Sequence, residues 1–514
     1  MPGFSLVKSA AVLGIDAYIV NVECNLSRAE LPRFITVGLP EGAVRESKER
    51  VTSAIKNTGY YIPSNKVVIN LAPADIRKEG SAFDLPIAIG ILSAAKIVSP
   101  DLLNDYVILG ELSLDGSLRG IKGTLPISVS INDSGIKGII LPVDNAREAA
   151  IAGGLSVIGI KSLQEAIRFL NGKFLPVQVS VNVQDLFEER RKYDLDYADV
   201  KGQEHAKRAL EVAAAGSHNI IMIGPPGSGK TMLAKRFPSI LPNLTLEEAL
   251  ETTKIHSVAG LVPPGEGIIA TRPFRAPHHT ISDAALVGGG KIPRPGEVSL
   301  GHHGVLFLDE LPEFKKNVLE VLRQPMESGM VTISRAQMSL SYPANFILVG
   351  AMNPCPCGYS TDPNNECACS SAQIQKYMSR ISGPLLDRID IHIEVPAVKL
   401  KDLAYKDLGE RSEKIRERVQ AARRIQSVRF KDLQGIYANA DMETKLIRRF
   451  CRIDKTGETL LHNAISKLGL SARAYDRILK VSRTIADLAG IAEIRPEHLA
   501  EAIQYRSLDR QLWL

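Results

Sequence analysis

Short apolar runs alternate with helical patterns over the first third of the chain. Runs with the length and composition of β-strands occur at residues 17–22, 34–37, 66–71, 107–112, 138–141 and 155–159. Segments 41–58 and 83–95 lie between these runs and have the pattern of helices. The mixture predicts an α/β or α+β domain of its own over residues 1–171.

A different organisation follows this domain. Residues 172–197 contain a charge run and lack a sustained amphipathic period, so we interpret them as a linker. Residues 198–398 contain short apolar runs that end in polar or glycine-rich sequence, which is typical of buried parallel strands. From residue 399 to residue 514 the pattern is helical. We expect a parallel α/β core followed by a helical lid domain.

The strongest chemical motif is a glycine-rich turn between the apolar run 219–223 and a helical run that begins at Met232. The pattern G-x-x-x-x-G-K-[ST] between a strand and a helix binds nucleotide phosphates. Its backbone N–H groups point inward at a phosphate, helped by the positive end of the helix. We therefore expect ATP to bind at Gly224, Pro225, Pro226, Gly227, Ser228, Gly229, Lys230 and Thr231.

Polar residues at two predicted strand ends add the parts needed for hydrolysis. Asp309 and Glu310 end the run VLFLDE, and Asn353 ends the run FILVGAMN. Lys230 is expected to contact the β- and γ-phosphates, while Thr231 and Asp309 hold Mg²⁺. Glu310 is expected to orient and deprotonate the attacking water. Asn353 is expected to hydrogen-bond the water or the γ-phosphate.

Two arginines complete the pattern of a ring ATPase. Arg388, in GPLLDRID, stands where such enzymes place a finger onto the γ-phosphate of the neighbouring subunit. Arg473, in LSAR, opens a lid helix and is expected to act as a second sensor. An arginine in these places offsets the charge that develops during phosphoryl transfer. A finger that acts on a neighbour requires an oligomer, so the motif predicts a ring.

Composition narrows the class of protein. The 514 residues are 45% hydrophobic, which allows several buried cores. Without an apolar run near the roughly 20 residues that span a bilayer, and without a convincing signal peptide, we expect a soluble cytoplasmic protein. The net charge of +6 is uneven, since residues 401–514 hold 23 Lys and Arg against 16 Asp and Glu. This excess weakly favours a polyanionic partner.

Cysteine spacing predicts a metal site. Four of the six cysteines lie in residues 355–369, as C-x-C, a turn-rich loop and C-x-C. In a cytoplasmic chain this favours a metal over disulfides, and four thiolates form a usual closed zinc site. The one-residue separation within each pair is tight, so free thiols or redox chemistry remain alternatives. The expected zinc ligands are Cys355, Cys357, Cys367 and Cys369.

The histidine pairs do not fit a metal site as well. His278–His279 and His302–His303 are adjacent in sequence, and adjacent side chains diverge. We expect these histidines to make hydrogen bonds within loops or between subunits.

Two loops of the core carry basic residues suited to nucleic acid. Residues 254–304 form a large insertion, and residues 330–342 have the pattern of two short strands about a turn. Basic hairpins at a pore grip phosphates without reading bases. The expected DNA contacts are Lys291, Arg294 and Arg335, and the alternative is that these loops only pack subunits together.

The N-terminal domain resembles the Lon-type protease domain, which has the ribosomal S5 domain 2-like α+β fold. Residues 77–85, RKEGSAFDL, resemble the segment around the catalytic serine, and residues 110–119 resemble a later strand pair. The resemblance implies a dyad of Ser81 and Lys122, with the lysine as base. Lys122 lies slightly early against the family pattern, and the domain precedes the motor instead of following it. We therefore expect a non-proteolytic binding or oligomerisation role.

The core motifs resemble those of AAA+ P-loop ATPases, in the branch with magnesium-chelatase motor subunits and MCM helicases. Segments RPFRAPHH (272–279), LVGGGK (286–291) and 293–309, with lid residues 471–488, are similar to the magnesium-chelatase-like ComM/YifB family. The resemblance covers nearly the whole chain. It implies a homo-hexamer that uses ATP and Mg²⁺ to move branched DNA, or strand-exchange junctions, in recombination during natural transformation.

Two other functions remain open. A chelatase motor would drive Mg²⁺ insertion into a porphyrin with partner subunits, and the N-terminal domain counts against it because the chelatase motor pattern lacks that domain. An ATP-dependent protease is disfavoured by the position of Lys122 and by the domain order.

Overall fold

The computed structural model describes residues 3–508 except 30, 32, 40–41, 62–64, 75–77, 79, 133, 177, 264, 291–292, 336–337, 363–364, 398–408 and 470. The chain divides into two compact units. The first unit is Met1–Arg190 with Leu246–Ala270, and the second is Arg191–Thr245 with Thr271–Leu514. Segment 246–270 therefore groups with the N-terminal unit, which differs from the domain boundaries expected from the sequence.

A mixed sheet forms the centre of the first unit. Its strands and those of a short ribbon are β1 (Gly3–Leu13), β2 (Asp16–Arg28), β3 (Arg33–Val37), β4 (Asn65–Ala72), β5 (Tyr106–Ile108), β6 (Glu111–Leu112), β7 (Leu118–Arg119), β8 (Gly138–Pro142) and β9 (Ser156–Ile160). The sheet order is β3-β4-β2-β1-β5-β8-β9, and β6 pairs with β7. In the β1–β2 hairpin Leu13 pairs with Asp16, and Gly14 has the positive φ of 69° that such a tight turn requires.

Helices cover this sheet. They are α1 (Gly42–Asn57), α2 (Asp84–Ala94), α3 (Thr124–Asn132), α4 (Ala146–Ala150), α5 (Leu163–Leu170), α6 (Val183–Arg190) and, from the later segment, α9 (Leu246–Ala259). Helix α2 is buried along its whole length because it packs between the sheet and α1. Its buried Asp84 accepts hydrogen bonds from Arg50 Nε at 2.6 Å and Nη2 at 3.0 Å. This pair fixes α1 against α2 with the carboxylate satisfied.

A parallel sheet forms the centre of the second unit. The strands of this unit are β10 (Ile220–Ile223), β11 (Phe274–Arg275), β12 (Gly288–Gly289), β13 (Arg294–Pro295), β14 (Val305–Leu308), β15 (Met330–Arg335), β16 (Met338–Pro343), β17 (Ile347–Met352) and β18 (Ile391–Glu394). The sheet order is β11-β14-β17-β10-β18, with every neighbouring pair parallel. Strands β12–β13 and β15–β16 form separate antiparallel ribbons. Parallel strands place their carboxyl ends at one edge, where ligands bind in such folds.

The remaining helices surround this sheet and form the C-terminal region. They are α7 (Glu204–Gly216), α8 (Lys230–Arg236), α10 (Asp283–Val287), α11 (Glu297–Leu300), α12 (Lys316–Glu320), α13 (Arg323–Ser328), α14 (Ser371–Met378), α15 (Gly383–Leu386), α16 (Ser412–Arg429), α17 (Thr444–Phe450), α18 (Lys455–Leu468), α19 (Ala472–Leu488) and α20 (Pro496–Gln504). The buried faces of α16 and α19 share one hydrophobic core with α7 and β10. The predicted fold class, with a mixed N-terminal domain, a parallel α/β core and a helical C-terminal region, is confirmed.

Within the described ranges, no helix has the length and apolar character needed to cross a membrane.

Candidate functional site

The phosphate loop joins β10 to α8, as its motif predicts. Gly227 and Gly229 have φ values of 73° and 91°, which favour glycine. Gly224 is required for another reason, because a Cβ there would lie 2.0 Å from the carbonyl oxygen of Val395. These glycines allow the chain to turn tightly from the central strand into the helix.

Lys230 lies inside this loop. Its Nζ is 2.8 to 3.4 Å from four oxygen atoms, the carbonyls of Gly224 and Pro225, Oγ of Ser228 and Oδ1 of Asn353. Burial lowers the pKa of Lys230, and the Asp309 carboxylate opposes that shift. The loop thus holds a buried ammonium group beside the end of β17.

Thr231 and Asp309, the predicted Mg²⁺ ligands, are in direct contact. The Thr231 hydroxyl donates a hydrogen bond to Asp309 Oδ2 at 2.7 Å. Thr231 is in the first turn of α8, and Asp309 immediately follows β14. Two oxygen donors at this spacing fit Mg²⁺, which is usually bound through one or two protein oxygens plus phosphate and water. The residues present therefore suit the ion that the motif implies.

Glu310 follows this pair but faces a different neighbour. Its backbone is left-handed, with φ of 52° and ψ of 46°, and its N–H donates to Asp309 Oδ1 at 3.0 Å. Its carboxylate is 58% exposed and lies 3.3 Å from His279 Nδ1. The structure therefore brings Lys230, Thr231, Asp309 and Asn353 together, and pairs the carboxylate of Glu310 with a histidine outside that set.

The two predicted arginines lie away from the phosphate loop of their own chain. Arg388 forms an ion pair with Glu327 and donates to the carbonyl of Pro384 at 2.5 Å. Arg473 pairs with Asp387 at 3.1 Å, and its side chain is 66% exposed. Neither arginine has a described contact with the loop, so the structure does not bring them into the set around Lys230.

The four clustered cysteines converge. The Sγ atoms of Cys355, Cys357 and Cys367 are 3.3 to 3.7 Å apart, and the Sγ atom of Cys369 lies within 4.8 Å of each of them. Sulfurs that share one tetrahedral ion at ~2.3 Å lie about 3.8 Å apart, so the cluster has suitable dimensions for zinc. Hydrogen bonds from the Tyr359 backbone and from Cys355 lower the pKa of Cys357 to about 6, whereas the pKa values of Cys367 and Cys369 are raised, because the backbone hydrogen bonds that lower them are outweighed by desolvation and by the contacts with the other two thiols. A thiolate is the form that binds zinc.

The cysteine loop also contacts the phosphate loop. A Cβ at Gly358 would lie 2.6 Å from Cδ of Pro226 and 3.8 Å from Cγ of Asn353. The Gly358 N–H donates to Cys355 Sγ at 3.2 Å. The thiol cluster is therefore one residue away from the surface of the nucleotide site.

The two basic loops lie together. Arg294 on β13 and Arg335 on β15 are both exposed, while Lys291 lies outside the described residues. A Cβ at Gly289 would lie 3.3 Å from Arg335 Nη2, and Tyr342 donates to the carbonyl of Pro293 at 2.7 Å. The β12–β13 ribbon and the β15–β16 hairpin thus pack against each other and present basic side chains from one region.

The serine and lysine that resemble a Lon dyad have separate partners. The Ser81 hydroxyl is hydrogen-bonded to the Glu111 carboxylate. The Lys122 side chain packs on Gly260, where an added Cβ would meet Lys122 Cε at 2.5 Å. No described hydrogen bond joins this serine to this lysine, so the arrangement lacks the contact that a serine–lysine mechanism requires.

A buried polar cluster near Arg388 was missed by the sequence analysis. His218 Nδ1 lies 2.9 Å from Asp390 Oδ2, and its Nε2 lies 2.8 Å from Thr484 Oγ1. Burial opposes ionisation of Asp390, but Arg477 and His218 together lower its pKa. The feature of the sequence that could have revealed this cluster is Asp390, at the end of GPLLDRID and two residues after Arg388. The cluster joins the start of the strand before the phosphate loop to the C-terminal helix α19.

Sequence comparisons cover nearly the whole chain. Residues 196–403 match the family model described as magnesium chelatase, subunit ChlI, residues 22–145 match subunit ChlI of Mg-chelatase, and residues 409–506 match the ChlI C-terminal model. The chain is 46% identical over 512 residues to competence protein ComM of Haemophilus influenzae, covering 99% of this chain and 98% of that protein. It is 44% identical over 509 residues to the uncharacterized protein YifB of Escherichia coli, with coverage of 99% and 98%.

Chelatase subunits match a smaller part. The chain is 26% identical over 177 residues to the magnesium-chelatase 38 kDa subunit of Rhodobacter capsulatus, covering 31% of this chain and 50% of that subunit. Full-length similarity at more than 40% identity and three matching domain models agree with the motifs described above. The chain belongs to the magnesium-chelatase-like ComM/YifB family of AAA+ proteins.

Proposed function

We propose that this protein is a ring-forming ATPase that migrates branched DNA or strand-exchange junctions in homologous recombination during natural transformation. The observation that carries the proposal is the packing of two basic ribbons, with Arg294 and Arg335, in the unit that holds the phosphate loop. The name of the full-length relative, a competence protein, supports the biological setting.

The nucleotide chemistry follows from the geometry around Lys230. The Lys230 ammonium and the loop N–H groups would hold the β- and γ-phosphates of ATP, and Thr231 and Asp309 would hold Mg²⁺, which neutralises developing phosphate charge. Glu310 would take a proton from the attacking water. The water oxygen would bond to the γ-phosphorus while the bond between the γ-phosphorus and the ADP oxygen breaks. Asn353, 3.4 Å from Lys230, stands where it would orient the γ-phosphate or the water.

We further propose a homo-hexameric ring. Arg388 is paired with Glu327 and has no described contact with its own phosphate loop. Since the described contacts of Arg388 do not include its own phosphate loop, its guanidinium would act on the γ-phosphate bound at the phosphate loop of a neighbouring subunit, as the finger role requires. Arg473 on the lid is proposed as the second arginine of that composite site.

Measuring ATP hydrolysis with no DNA, single strands, duplex and branched DNA tests this function. We expect stimulation by DNA, binding that weakens steeply with salt and depends little on sequence, and ATP-dependent displacement of three- or four-strand junctions. If DNA did not change the ATPase rate of the unmodified protein, but the protein stimulated Mg²⁺ insertion into a porphyrin, the chelatase function would be established instead.

That second function has one observation in its favour. The N-terminal domain, expected from the sequence to argue against a chelatase, itself matches a model described as a ChlI subunit. The presence of the domain therefore does not discriminate between the two functions. Coverage by relatives supports the first function, because the chelatase subunit of Rhodobacter capsulatus aligns to 31% of the chain and the competence protein to 99%.

Removing the positive charges of the two basic loops should abolish the response of ATP hydrolysis to DNA. In the triple variant Lys291→Gln, Arg294→Gln and Arg335→Gln, DNA stimulation of the ATPase and junction movement should both be lost, because phosphate contacts supply sequence-independent affinity. The variant Lys445→Gln, Arg448→Gln and Arg452→Gln removes the same charge from exposed positions on α17 and just after it, and serves as the control. Normal junction movement by the first variant would rule out these loops as the DNA grip.

We propose that Cys355, Cys357, Cys367 and Cys369 bind structural zinc. Metal analysis of protein purified without chelator should find about one zinc per chain. Since Gly358 packs on Pro226, removing the metal should also weaken ATP binding. Cys24→Ala and Cys451→Ala remove buried thiols outside the cluster and should leave the zinc content unchanged. Less than a tenth of the expected zinc in unmodified protein would reject the site.

A further inference from the structure

The segment that carries Arg388 lies at the edge of the parallel sheet opposite the phosphate loop. Strands β10 and β18 are parallel neighbours, with Ile220 opposite Ile391. Gly224 follows the carboxyl end of β10, whereas Arg388 comes three residues before the amino end of β18. The four residues of β10 separate the two edges by about 13 Å, since a strand rises ~3.3 Å per residue. The register of the sheet therefore keeps Arg388 away from the phosphate loop of its own chain.

Hydrogen bonds fix the backbone around Arg388 to the start of β10. Asn219 Nδ2 donates to the Arg388 carbonyl at 3.1 Å, and the Asn219 carbonyl accepts from the N–H groups of Asp390 and Ile391 at 3.0 and 3.1 Å. The adjacent His218 lies 2.9 Å from Asp390 Oδ2 through its Nδ1, and it is the donor because an ionised carboxylate only accepts. Both side chains are buried, so water does not compete for this bond. The backbone after Arg388 is thus attached to the strand that enters the phosphate loop.

The two acids that flank Arg388 are each bound by an arginine of helix α19. Arg473 pairs with Asp387 at 3.1 Å, and Arg477 pairs with Asp390 Oδ1 at 3.0 Å. Residues four apart lie on the same face of a helix, one turn after the other. One face of α19 therefore contacts the chain on both sides of Arg388.

These two ion pairs differ in burial. The pair of Arg473 is exposed on the arginine side, and such pairs contribute little to stability. Asp390 is 1% exposed, so removing Arg477 would leave a buried carboxylate without its cation. Seven residues after Arg477 and on the same face of α19, Thr484 Oγ1 lies 2.8 Å from His218 Nε2. Arg477 is accordingly the contact of α19 on which the position of this segment depends most.

We propose that Arg477 is a positioning residue for Arg388. By binding Asp390, it lets helix α19 of one subunit set where the finger stands against the ATP of the neighbouring subunit. The inference rests on the proposed function, because it requires Arg388 to act on ATP that a neighbour binds. Arg477 has no described contact with the phosphate loop of its own chain, so its loss should slow hydrolysis without weakening ATP binding.

The variant Arg477→Gln tests this role in the full-length protein. We expect kcat to fall about 10- to 100-fold with KM for ATP unchanged, because a displacement near 1 Å at a catalytic group costs about 10²-fold in rate. Arg477→Lys, which keeps a cation for Asp390, should recover most of the rate. In an Arg388→Ala background, Arg477→Gln should cause no further loss, since no finger is left to position.

Mixed rings separate positioning of the finger from damage to the ATP site of the same chain. Arg477→Gln chains keep an intact phosphate loop, and Lys230→Ala chains keep an intact finger segment. Mixing the two should therefore recover part of the activity, as expected for Arg388→Ala chains mixed with Lys230→Ala chains. If Arg477 served the ATP site or the folding of its own chain, the Lys230→Ala chains would not recover the activity.

Two further variants control for the loss of a buried ion pair. Arg418 on α16 pairs with the largely buried Glu211 of α7 at 2.6 Å, and neither has a described contact with residues 383–390. Arg418→Gln should therefore leave kcat near that of the unmodified protein. Arg477→Gln combined with Asp390→Asn removes both charges and leaves no unpaired buried carboxylate. This double variant should show the same loss of kcat and the same recovery in mixed rings, even if Arg477→Gln alone does not assemble.

The outcomes distinguish the inference from the proposed function. An unchanged kcat in Arg477→Gln or in the double variant overturns the inference alone, provided that Arg388→Ala slows hydrolysis. The same holds if mixed rings recover the activity of Arg388→Ala but not that of Arg477→Gln. Full activity of Arg388→Ala, or no recovery of its activity in rings shown to be mixed, overturns the proposed role of the finger, and the inference falls with it.

Discussion

Replacing Glu310 with Gln should slow ATP hydrolysis by about 10²- to 10⁴-fold, the usual contribution of a general base. The amide keeps the size of the side chain but does not accept the proton from water. ATP binding should persist, because Lys230, Thr231 and Asp309 are unchanged and Thr231 already donates to Asp309. The nucleotide-bound ring should therefore be trapped in its assembled state. Single-turnover hydrolysis and equilibrium binding of a fluorescent ATP analogue measure the two effects separately.

The control for this change is Glu313→Gln. Glu313 is three residues further along, is paired with Arg380 at 2.8 Å and has no described contact with the phosphate loop. The same chemical substitution there should leave hydrolysis near normal. A Glu310→Gln protein that turned over ATP at the ordinary rate would show that another group activates the water.

Arg388→Ala should reduce hydrolysis by about 10³- to 10⁵-fold while ATP still binds, because a finger arginine stabilises charge that develops in the transition state. Its guanidinium is held by Glu327 and by the Pro384 carbonyl in the single chain. In a ring, the arginine of one subunit would complete the site of the next. Arg380→Ala removes a nearby arginine that pairs with Glu313, and it is the matched control.

Mixing experiments test whether Arg388 acts on a neighbour. Lys230→Ala should abolish turnover and weaken ATP binding, because the phosphates lose their main cationic partner. In rings mixed from Arg388→Ala and Lys230→Ala chains, some interfaces combine an intact phosphate loop with an intact arginine. Partial recovery of activity is therefore expected. Activity no higher than that of either variant alone, in rings shown to be mixed, would contradict the trans role.

Glu310→Gln and Arg388→Ala also differ in how they depend on assembly. Glu310 lies two residues after β14, next to Asp309 of the same chain, so its loss should reduce hydrolysis in any chain that binds ATP. Arg388 should matter only where subunits meet. Activity per chain in the unmodified protein should accordingly rise with concentration as rings form, and the residual activity of Arg388→Ala should not.

Local pattern was sufficient to predict the parts of the site that depend on neighbouring residues in sequence. The turn from β10 to α8 requires glycine at Gly224, Gly227 and Gly229, so its sequence specifies its conformation. Strands β14 and β17 are buried on both sides, and continuous apolar runs mark them clearly. The hairpin of β15 and β16 follows from alternation about a short turn. The convergence of the cysteines agrees with two C-x-C pairs separated by a turn-rich segment.

Some element boundaries depended on contacts distant in sequence. Residues 107–112 have the pattern of one strand, but the structure divides them into β5 and β6. Gly110 donates to the Ala82 carbonyl at 2.9 Å and accepts from the Leu85 N–H at 3.0 Å, so its hydrogen bonds go to the start of α2 and not to the sheet. Strand β1 was not predicted, because its long register with β2 is a tertiary property. Helix α6 lies in the segment that we interpreted as a linker.

The sequence alone specified the phosphate loop, because its glycines, Lys230 and Thr231 depend on residue type and short spacing, and it predicted Asp309 as the second Mg²⁺ ligand from the acidic end of an apolar run. The hydrogen bond between Thr231 and Asp309, which are 78 residues apart in the chain, is a tertiary contact. Only the tertiary structure placed Leu246–Ala270 with the N-terminal unit, with Ser257 donating to the buried Glu148 carboxylate at 2.5 Å. Only the structure put His279 beside Glu310, since that contact depends on the register of two parallel strands separated by a long insertion. Sequence spacing carries no information about which strands become neighbours, so it does not predict which side chains meet where two strands end.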